Sequence, residues 1–490
     1  MTSIVRRYLP VILFVSAISC SRIWAAPAPD LTAGQIASID RFVQAEMARE
    51  QIPGVAVGVY SRGQILLAKG YGLADVELDV PVKPETLFQS GSVGKQFVSA
   101  AIMMLVEEGK IGLDDSIVKY FPNAPASWQA IKVTNLLSHT SGLSEYESGD
   151  RIGPKGPFYL RLDFTEDELL QKVEALPIEF KPGDKWDYRN TNYLLLGIMI
   201  HKVTGKFYAD YLQERIFKPL GMNSTRLISD ADIIPNRASG YELNDEDKLQ
   251  NQSWVSPTFN STADGALYFN LLDLAKWDGA LYGTKLLKQS SLDRIWTVFR
   301  LNDGNPNPGD YGFAWSISTI NGHKVIEHGG AWQGFTCHIS RYVDDGITVV
   351  ALTNLSGADP THIVHVVAGL ANSALVPPKL AAIEDKQPEL GRRLASLLDR
   401  MAAGKDVRGE VSPELAELLT PEVVAKYVGR KLKLVWPADS QTLVSRTVKD
   451  GVTVSEYRLV KKNESRIVSF GLGADGKVAV IGFEADPDVQ

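Results

Sequence analysis

The chain has 490 residues, 44% of them hydrophobic and 22% charged, and a formal net charge of −7. This ordinary globular composition excludes a mainly disordered, collagen-like or polytopic membrane protein, and the length allows roughly two or three domains. The 51 Lys and Arg against 58 Asp and Glu include no long basic run, so nucleic acid, which demands a positive footprint, is not an expected partner.

Residues 1–25 read as a secretory signal peptide. Arg6 and Arg7 precede an apolar run over 8–17, followed by small residues and Ala26-Pro27-Ala28-Pro29. The run is too short for a comfortable membrane span, so the expectation is an exported, periplasmic or secreted protein with no stable span after cleavage. A lipoprotein anchor at Cys20, in Ala17-Ile18-Ser19-Cys20, is the minor alternative. If Cys20 leaves with the signal, Cys337 is the only thiol and reads as a buried structural residue, with no intramolecular disulfide.

The spacing of Ile36, Ile39, Phe42, Val43 and Met47 predicts an amphipathic helix over 35–50, with Thr32 and Gln35 placed as a capping box. β-rich runs at 55–60 and 65–69 flank Ser61-Arg62-Gly63-Gln64, a hairpin. Residues 90–277 read mainly as helix and loop. Strands return at 313–320, 324–327, 335–343 and 347–354, with Asn321-Gly322 and Asp345-Gly346 at turns, and a helix over 362–372 follows. The economical arrangement is α+β: one antiparallel sheet built from both ends of a domain spanning 26–375, flanked by helices, with a helical subdomain beside it and a cleft between. Residues 376–390, which contain Pro377, Pro378 and Pro388, read as a linker. Residues 391–490 read as a small C-terminal α+β domain, with helices over 390–401 and 413–427. A β-meander follows near 441–449, 452–460, 465–471 and 477–484, with turns at Asp450-Gly451 and Asp475-Gly476.

The chemistry begins at Ser92-Val93-Gly94-Lys95. On a helix over 92–108, Lys95 lies on the same face as Ser92 and can take its proton once desolvation or nearby cations lower the lysine pKa. Ser116-Ile117-Val118-Lys119 has the same spacing, but Asp114 and Asp115 hold Lys119 protonated, and the segment reads as a solvated helix start. Tyr188-Arg189-Asn190 sits on a loop entering the apolar run 193–200 and competes with Tyr268-Phe269-Asn270 for a cleft-facing role. His139 reads as structural. His362 and His365 lie one helical turn apart without a third ligand candidate nearby in sequence, so no metal site is expected. Gly-x-Ser-x-Gly and His-Glu-x-x-His are both absent, which argues against an α/β-hydrolase and a zincin.

Three motifs in order, Ser92-Val93-Gly94-Lys95, Tyr188-Arg189-Asn190 and His328-Gly329-Gly330, resemble those of the serine β-lactamase and penicillin-binding-protein-like hydrolases related to class C β-lactamases. Supporting segments are Leu136-Leu137-Ser138-His139-Thr140-Ser141-Gly142-Leu143, Pro219-Leu220-Gly221-Met222 and Tyr311-Gly312-Phe313-Ala314-Trp315, and the similarity covers about 32–372. The resemblance implies that Ser92 attacks a carbonyl, that Lys95 and Tyr188 share the proton transfers, and that Asn190 hydrogen-bonds the substrate amide. It further implies an oxyanion hole from the backbone N–H groups of Ser92 and Ala331, next to the strand carrying His328, Gly329 and Gly330, whose glycines let a substrate lie along its edge. Neither metal nor cofactor is needed, and the partner is a small-molecule or peptide substrate. Within that family the lead is a D-amino-acid-peptidase-like amidase. A carboxylesterase or β-lactamase is the alternative, and a penicillin-binding sensor without turnover is the reading of another class.

His328 departs from the pattern, because penicillin-recognising members carry Lys there, followed by Thr or Ser and then Gly. An unperturbed histidine loses its charge around pH 6.5, so recognition of an anionic group is expected to fade as pH rises. Arg189 is the next cation candidate in sequence.

Overall fold

The computed structural model describes residues 30–376, 379–424, 428–449, 452–462 and 464–486. The signal segment 1–25 with Cys20, the linker prolines Pro377 and Pro378, and the Asp450-Gly451 turn lie outside the described residues. Helix α1 (Ala33–Glu50) starts at the capping box: Thr32 Oγ1 accepts from Gln35 N at 3.2 Å, and Gln35 Oε1 accepts from Thr32 N at 3.0 Å. Strands β1 (Gly54–Ser61) and β2 (Gln64–Asp75) are joined by Arg62 and Gly63 at φ 51° and 81°, the pair of positive values that a tight hairpin turn needs. Strand β3 (Val80–Pro81) pairs with β2.

The middle of the chain supplies α2 (Lys95–Glu107), α3 (Asn190–Thr204) and α4 (Leu271–Ala280). Strands β4 (Ser316–Ile320), β5 (His323–Trp332), β6 (Phe335–Tyr342) and β7 (Ile347–Thr353) then return, followed by α5 (Pro360–Ala371). One antiparallel sheet of order β3-β2-β1-β7-β6-β5-β4 results, with both ends of the domain meeting where β1 pairs with β7.

All eight residues of β1 are buried, because the sheet is covered on both faces. Its side chains alternate between two cores, as strand geometry requires. Val55, Val57 and Val59 pack with Ile39 and Val43 of α1 and Ile363, Val364 and Val367 of α5. Ala56 and Tyr60 join the opposite core with Phe97 of α2, Tyr193 of α3 and Trp277 of α4. This second core carries the helical block, so the cleft lies on its side of the sheet.

The C-terminal part contains α6 (Pro388–Ala402) and a separate antiparallel sheet of strands β8 (Ser440–Lys449), β9 (Val452–Lys461), β10 (Glu464–Leu472) and β11 (Val478–Ala485), in that order. It encloses its own core, in which Leu394, Leu397, Leu398 and Met401 meet Tyr457, Leu459, Val468 and Phe470. Two details differ from the pattern-based expectation. The segment read as a linker is docked on this sheet: Ile383 N donates to Leu443 O at 2.9 Å and Arg446 pairs with Asp385 at 2.8 Å. Proline-rich composition signals irregular backbone, which is compatible with such contacts. The helix expected over 413–427 is broken into Pro413–Leu418 and Pro421–Val423, Pro421 being unable to continue the preceding ladder; residues 425–427 lie outside the described residues.

The separate cores generate a prediction. A chain ending at Val376 is expected to unfold cooperatively with retained near-UV circular dichroism, since both cores around the larger sheet are complete before that point. An insoluble or non-cooperative truncation would show that the C-terminal part completes the larger domain.

Candidate active site

Ser92 stands on a 3₁₀ turn, Gly91–Gly94, that runs directly into α2, one turn tighter than the continuous helix expected from the sequence. From Lys95 to Leu105 every residue of α2 is buried. The segment before the turn is pinned by the two-residue pairing Phe88↔Phe269 and Gln89↔Tyr268, and by Ser90 N donating to Leu267 O at 2.7 Å.

Lys95 is fully buried, and its amine meets three oxygens: Ser92 Oγ at 2.8 Å, Asn190 Oδ1 at 2.8 Å and the Asp264 carbonyl at 2.6 Å. The Asn190 and Asp264 oxygens only accept, so the amine donates to both, and its remaining position faces Ser92 Oγ, the one partner of the three that carries a proton of its own.

Asn190 is held in turn. Its backbone N donates to Glu145 Oε2 at 2.5 Å and its Nδ2 to Glu147 Oε2 at 2.8 Å, and Tyr146 Oη lies between Glu147 Oε1 at 2.9 Å and Asp264 Oδ2 at 2.6 Å. Burial and the neighbouring charges of Asp264 and Glu145 push the Glu147 carboxyl well above its usual range, and burial raises Glu145 as well. This acidic shell was missed in the sequence. Glu145-Tyr146-Glu147 stands directly after the Leu136–Leu143 motif and was the available signal, whereas the Asp264 contact to Lys95 is a backbone carbonyl and leaves no side-chain signature.

The Tyr188 ring centroid lies 5.1 Å from Lys95 Nζ and 4.1 Å from the His139 ring. Its hydroxyl is buried and, among the described residues, has no hydrogen-bond partner. His139 is neutral, pushed well down by burial, and its Nδ1 accepts from Arg189 N at 3.2 Å, so it braces the loop that presents Tyr188 and Asn190.

Gly330 explains how β5 reaches Ser92. A Cβ there would sit 2.2 Å from Ser90 O and 2.9 Å from Ser92 N, and one on Gly91 (φ 46°) would sit 2.3 Å from Ala331 N. The strand and the serine turn therefore pack backbone to backbone, and Ser92 and Ala331 line one small pocket with Glu147, Asn190, Asp264 and Trp332. Pairing of β5 with β4 stops at Glu327↔Ser316, while its pairing with β6 continues to Trp332↔Phe335, so residues 328–332 keep one open edge beside that pocket. Gly329 lies on this edge. Trp332 walls the pocket, whereas Tyr311 is core.

Two expectations are corrected. His328 is not a titrating cation. It is 7% exposed, its Nδ1 donates to Gly329 O at 2.6 Å, and its Nε2 accepts from the Tyr311 hydroxyl at 2.8 Å. Burial pushes the ring down to about 3, so it stays neutral where the sequence suggested a transition near pH 6.5. Arg189 is not a free cleft cation either, being paired with Glu179 at 2.7 Å and Asp187 at 2.5 Å.

The competing motifs lie elsewhere. Lys119 is bound to Asp115 at 2.7 Å and its pKa is raised by that contact, while Ser116 Oγ donates to Gln129 O. Asn270 caps α4, accepting from Asp273 N at 2.9 Å. Cys337 is buried with its thiol pushed up by desolvation, and its Sγ donates to Ser90 O at 2.9 Å.

A fold of this kind with a half-buried serine against a buried lysine at the sheet edge defines a serine-hydrolase-like protein. The Beta-lactamase family profile matches residues 39–370, and the chain belongs to that family. It is 30% identical over 309 residues to penicillin-binding protein 4* of Bacillus subtilis (strain 168), an alignment covering 60% of this chain and 66%, just under two thirds, of that protein. Among solved structures, an octameric penicillin-binding protein homologue from Pyrococcus abyssi superposes with TM-score 0.60 at 23% identity, covering 90% of this chain and 97% of that one. A D-stereospecific amidohydrolase from Streptomyces sp. superposes with TM-score 0.57 at 25% identity, covering 69% and 98%.

The close packing at Gly330 yields a stability prediction. Gly330→Ala is expected to cost about 1–3 kcal/mol in denaturant unfolding, because the new methyl meets rigid backbone. An unchanged unfolding midpoint would mean that β5 and the serine turn are not locked together.

Proposed function

We propose that the chain is a serine hydrolase working through an acyl-enzyme on Ser92 and cleaving amide or peptide bonds, as D-amino-acid peptidases and amidases do. The observation that carries this reading is the Lys95 amine 2.8 Å from Ser92 Oγ, with its other two contacts made to oxygens that only accept.

As Ser92 Oγ bonds to the substrate carbonyl carbon, its proton passes to the Lys95 amine, which serves as the general base of the step. The carbonyl oxygen becomes an oxyanion held by the N–H groups of Ser92 and Ala331. Collapse breaks the C–N bond, and the leaving amine takes its proton from Lys95 through the Tyr188 hydroxyl, which has no other partner among the described residues. Water then attacks the Ser92 ester, gives its proton to the same pair, and Ser92 departs reprotonated. Asn190 positions Lys95 and offers its second Nδ2 hydrogen to the substrate amide, while the open edge at 328–332 gives an extended acyl chain a strand to pair with.

Substrate charge follows from the site. With His328 neutral and Arg189 paired, neither supplies a cation for a carboxylate, whereas Glu147 lines the pocket next to Ser92. This favours uncharged acyl groups over the carboxylate of a β-lactam, the raised Glu147 carboxyl adding a polar wall and no cation. The similarity to a D-stereospecific amidohydrolase points the same way. The reading includes export by the segment 1–25; among the described residues no helix is long and apolar enough to cross a membrane.

Ser92→Ala is expected to abolish covalent labelling by a fluorophosphonate probe while Ser116→Ala leaves it intact; labelling that survives Ser92→Ala sinks the mechanism. On a matched pair of aminoacyl substrates, one amidated and one with a free carboxylate, kcat/KM is expected to favour the amidated member about tenfold or more, or roughly 1.4 kcal/mol. Equal values, or a preference for the carboxylate, would overturn the charge assignment.

A further inference from the structure

Successive residues of β5 point to opposite faces of the sheet, so Glu327, next to His328, faces away from Ser92 and toward α5. There it meets two histidines brought by different elements. Glu327 Oε2 lies 3.1 Å from His338 Nε2 on β6 and 2.8 Å from His365 Nε2 on α5, and one donor atom from each of the three residues lies within 4.8 Å of the others. His362, one helical turn from His365, turns instead toward Glu46 and Phe42. The two further ligands that the sequence lacked near His365, Glu327 and His338, thus come from two strands some thirty residues earlier in the chain.

We propose that Glu327, His338 and His365 form a binding site for a divalent transition-metal ion, with Zn²⁺ the cation that the donor set fits. Two imidazoles and one carboxylate, with a fourth position left for water, are a recurrent zinc arrangement, whereas Ca²⁺ and Mg²⁺ take oxygen ligands. Tetrahedral zinc with bonds near 2.0–2.1 Å holds its donor atoms about 3.3 Å apart. The 2.8 and 3.1 Å separations need to open by a few tenths of an ångström, and the two imidazole nitrogens, within 4.8 Å of each other, settle to the same spacing by side-chain rotation.

The surroundings orient the donors. His338 Nδ1 lies 2.9 Å from Thr361 Oγ1; without metal Nε2–H faces the Glu327 carboxylate, and a switch to donation from Nδ1 to Thr361 frees the Nε2 lone pair for the ion. Ser340 Oγ donates to Glu327 Oε2 at 2.5 Å and fixes the carboxylate. The His365 side chain is 28% exposed, which provides the route of entry. A metal here joins α5 to β5 and β6, directly behind the strand segment beside Ser92.

The test uses tag-free full protein stripped with a chelator, titrated with Zn²⁺ by calorimetry and with Co²⁺ by visible absorption. One ion per chain is expected, with intense tetrahedral Co²⁺ bands and a higher melting temperature in zinc. His365→Ala, at a partly exposed helical position, is expected to lower zinc affinity about 100-fold, and Thr361→Val about tenfold through the lost tautomer partner. Both are expected to keep the melting temperature of the metal-free wild type. Wild-type zinc uptake no greater than that of His365→Ala, a pale octahedral Co²⁺ spectrum, or undiminished affinity in both variants would overturn the proposal.

Discussion

A lysine amine withdrawn from water costs several kcal/mol unless its polar valences are met inside the protein, and Lys95 is withdrawn completely. Meeting them ties together three segments far apart in the chain: the Ser92 turn, the start of α3 at Asn190, and the Asp264 carbonyl. Asn190 can serve only because Glu145 and Glu147 hold its backbone and its amide. The polar centre is therefore a network in which each member is oriented by the next, and orientation of this kind is what nucleophile activation demands.

Around that network the protein arranges charge unevenly. Acidic groups crowd the Lys95 side, where burial and mutual repulsion raise the carboxyls of Glu145 and Glu147. Aromatic and imidazole rings occupy the other side, with His139 and His328 both held neutral by burial. The sheet separates a second polar cluster, Glu327 with His338 and His365, from the first by the thickness of one strand. Because neighbouring residues of β5 point oppositely, one strand serves both faces without mixing their chemistry.

Much of the fold was legible because its signals are local. Thr32 and Gln35 mark the start of α1, Arg62-Gly63 and Asn321-Gly322 mark hairpins, and β-rich runs at both ends imply a sheet closed by the two ends of the domain. The failures were contacts without a local signature. The segment before Pro388 docks on the C-terminal sheet through side chains and single backbone bonds that composition does not encode. The acidic shell depends on a loop folding over α3, and the state of His328 depends on what covers it.

By itself the sequence determined the spacing of Ser92 and Lys95, the order of the three motifs and the alternation that aims residues of β5 to opposite faces, because these depend only on helix and strand periodicity. Tertiary structure alone decided which groups are charged and which are partnered. Histidine at 328 reads as a cation in a string of letters and becomes neutral when Tyr311 and the sheet exclude water from it. Likewise the sequence offered His365 only His362 one turn away and no further ligand, yet its neighbours are Glu327 and His338, since burial and proximity across the sheet are set by packing and not by distance along the chain.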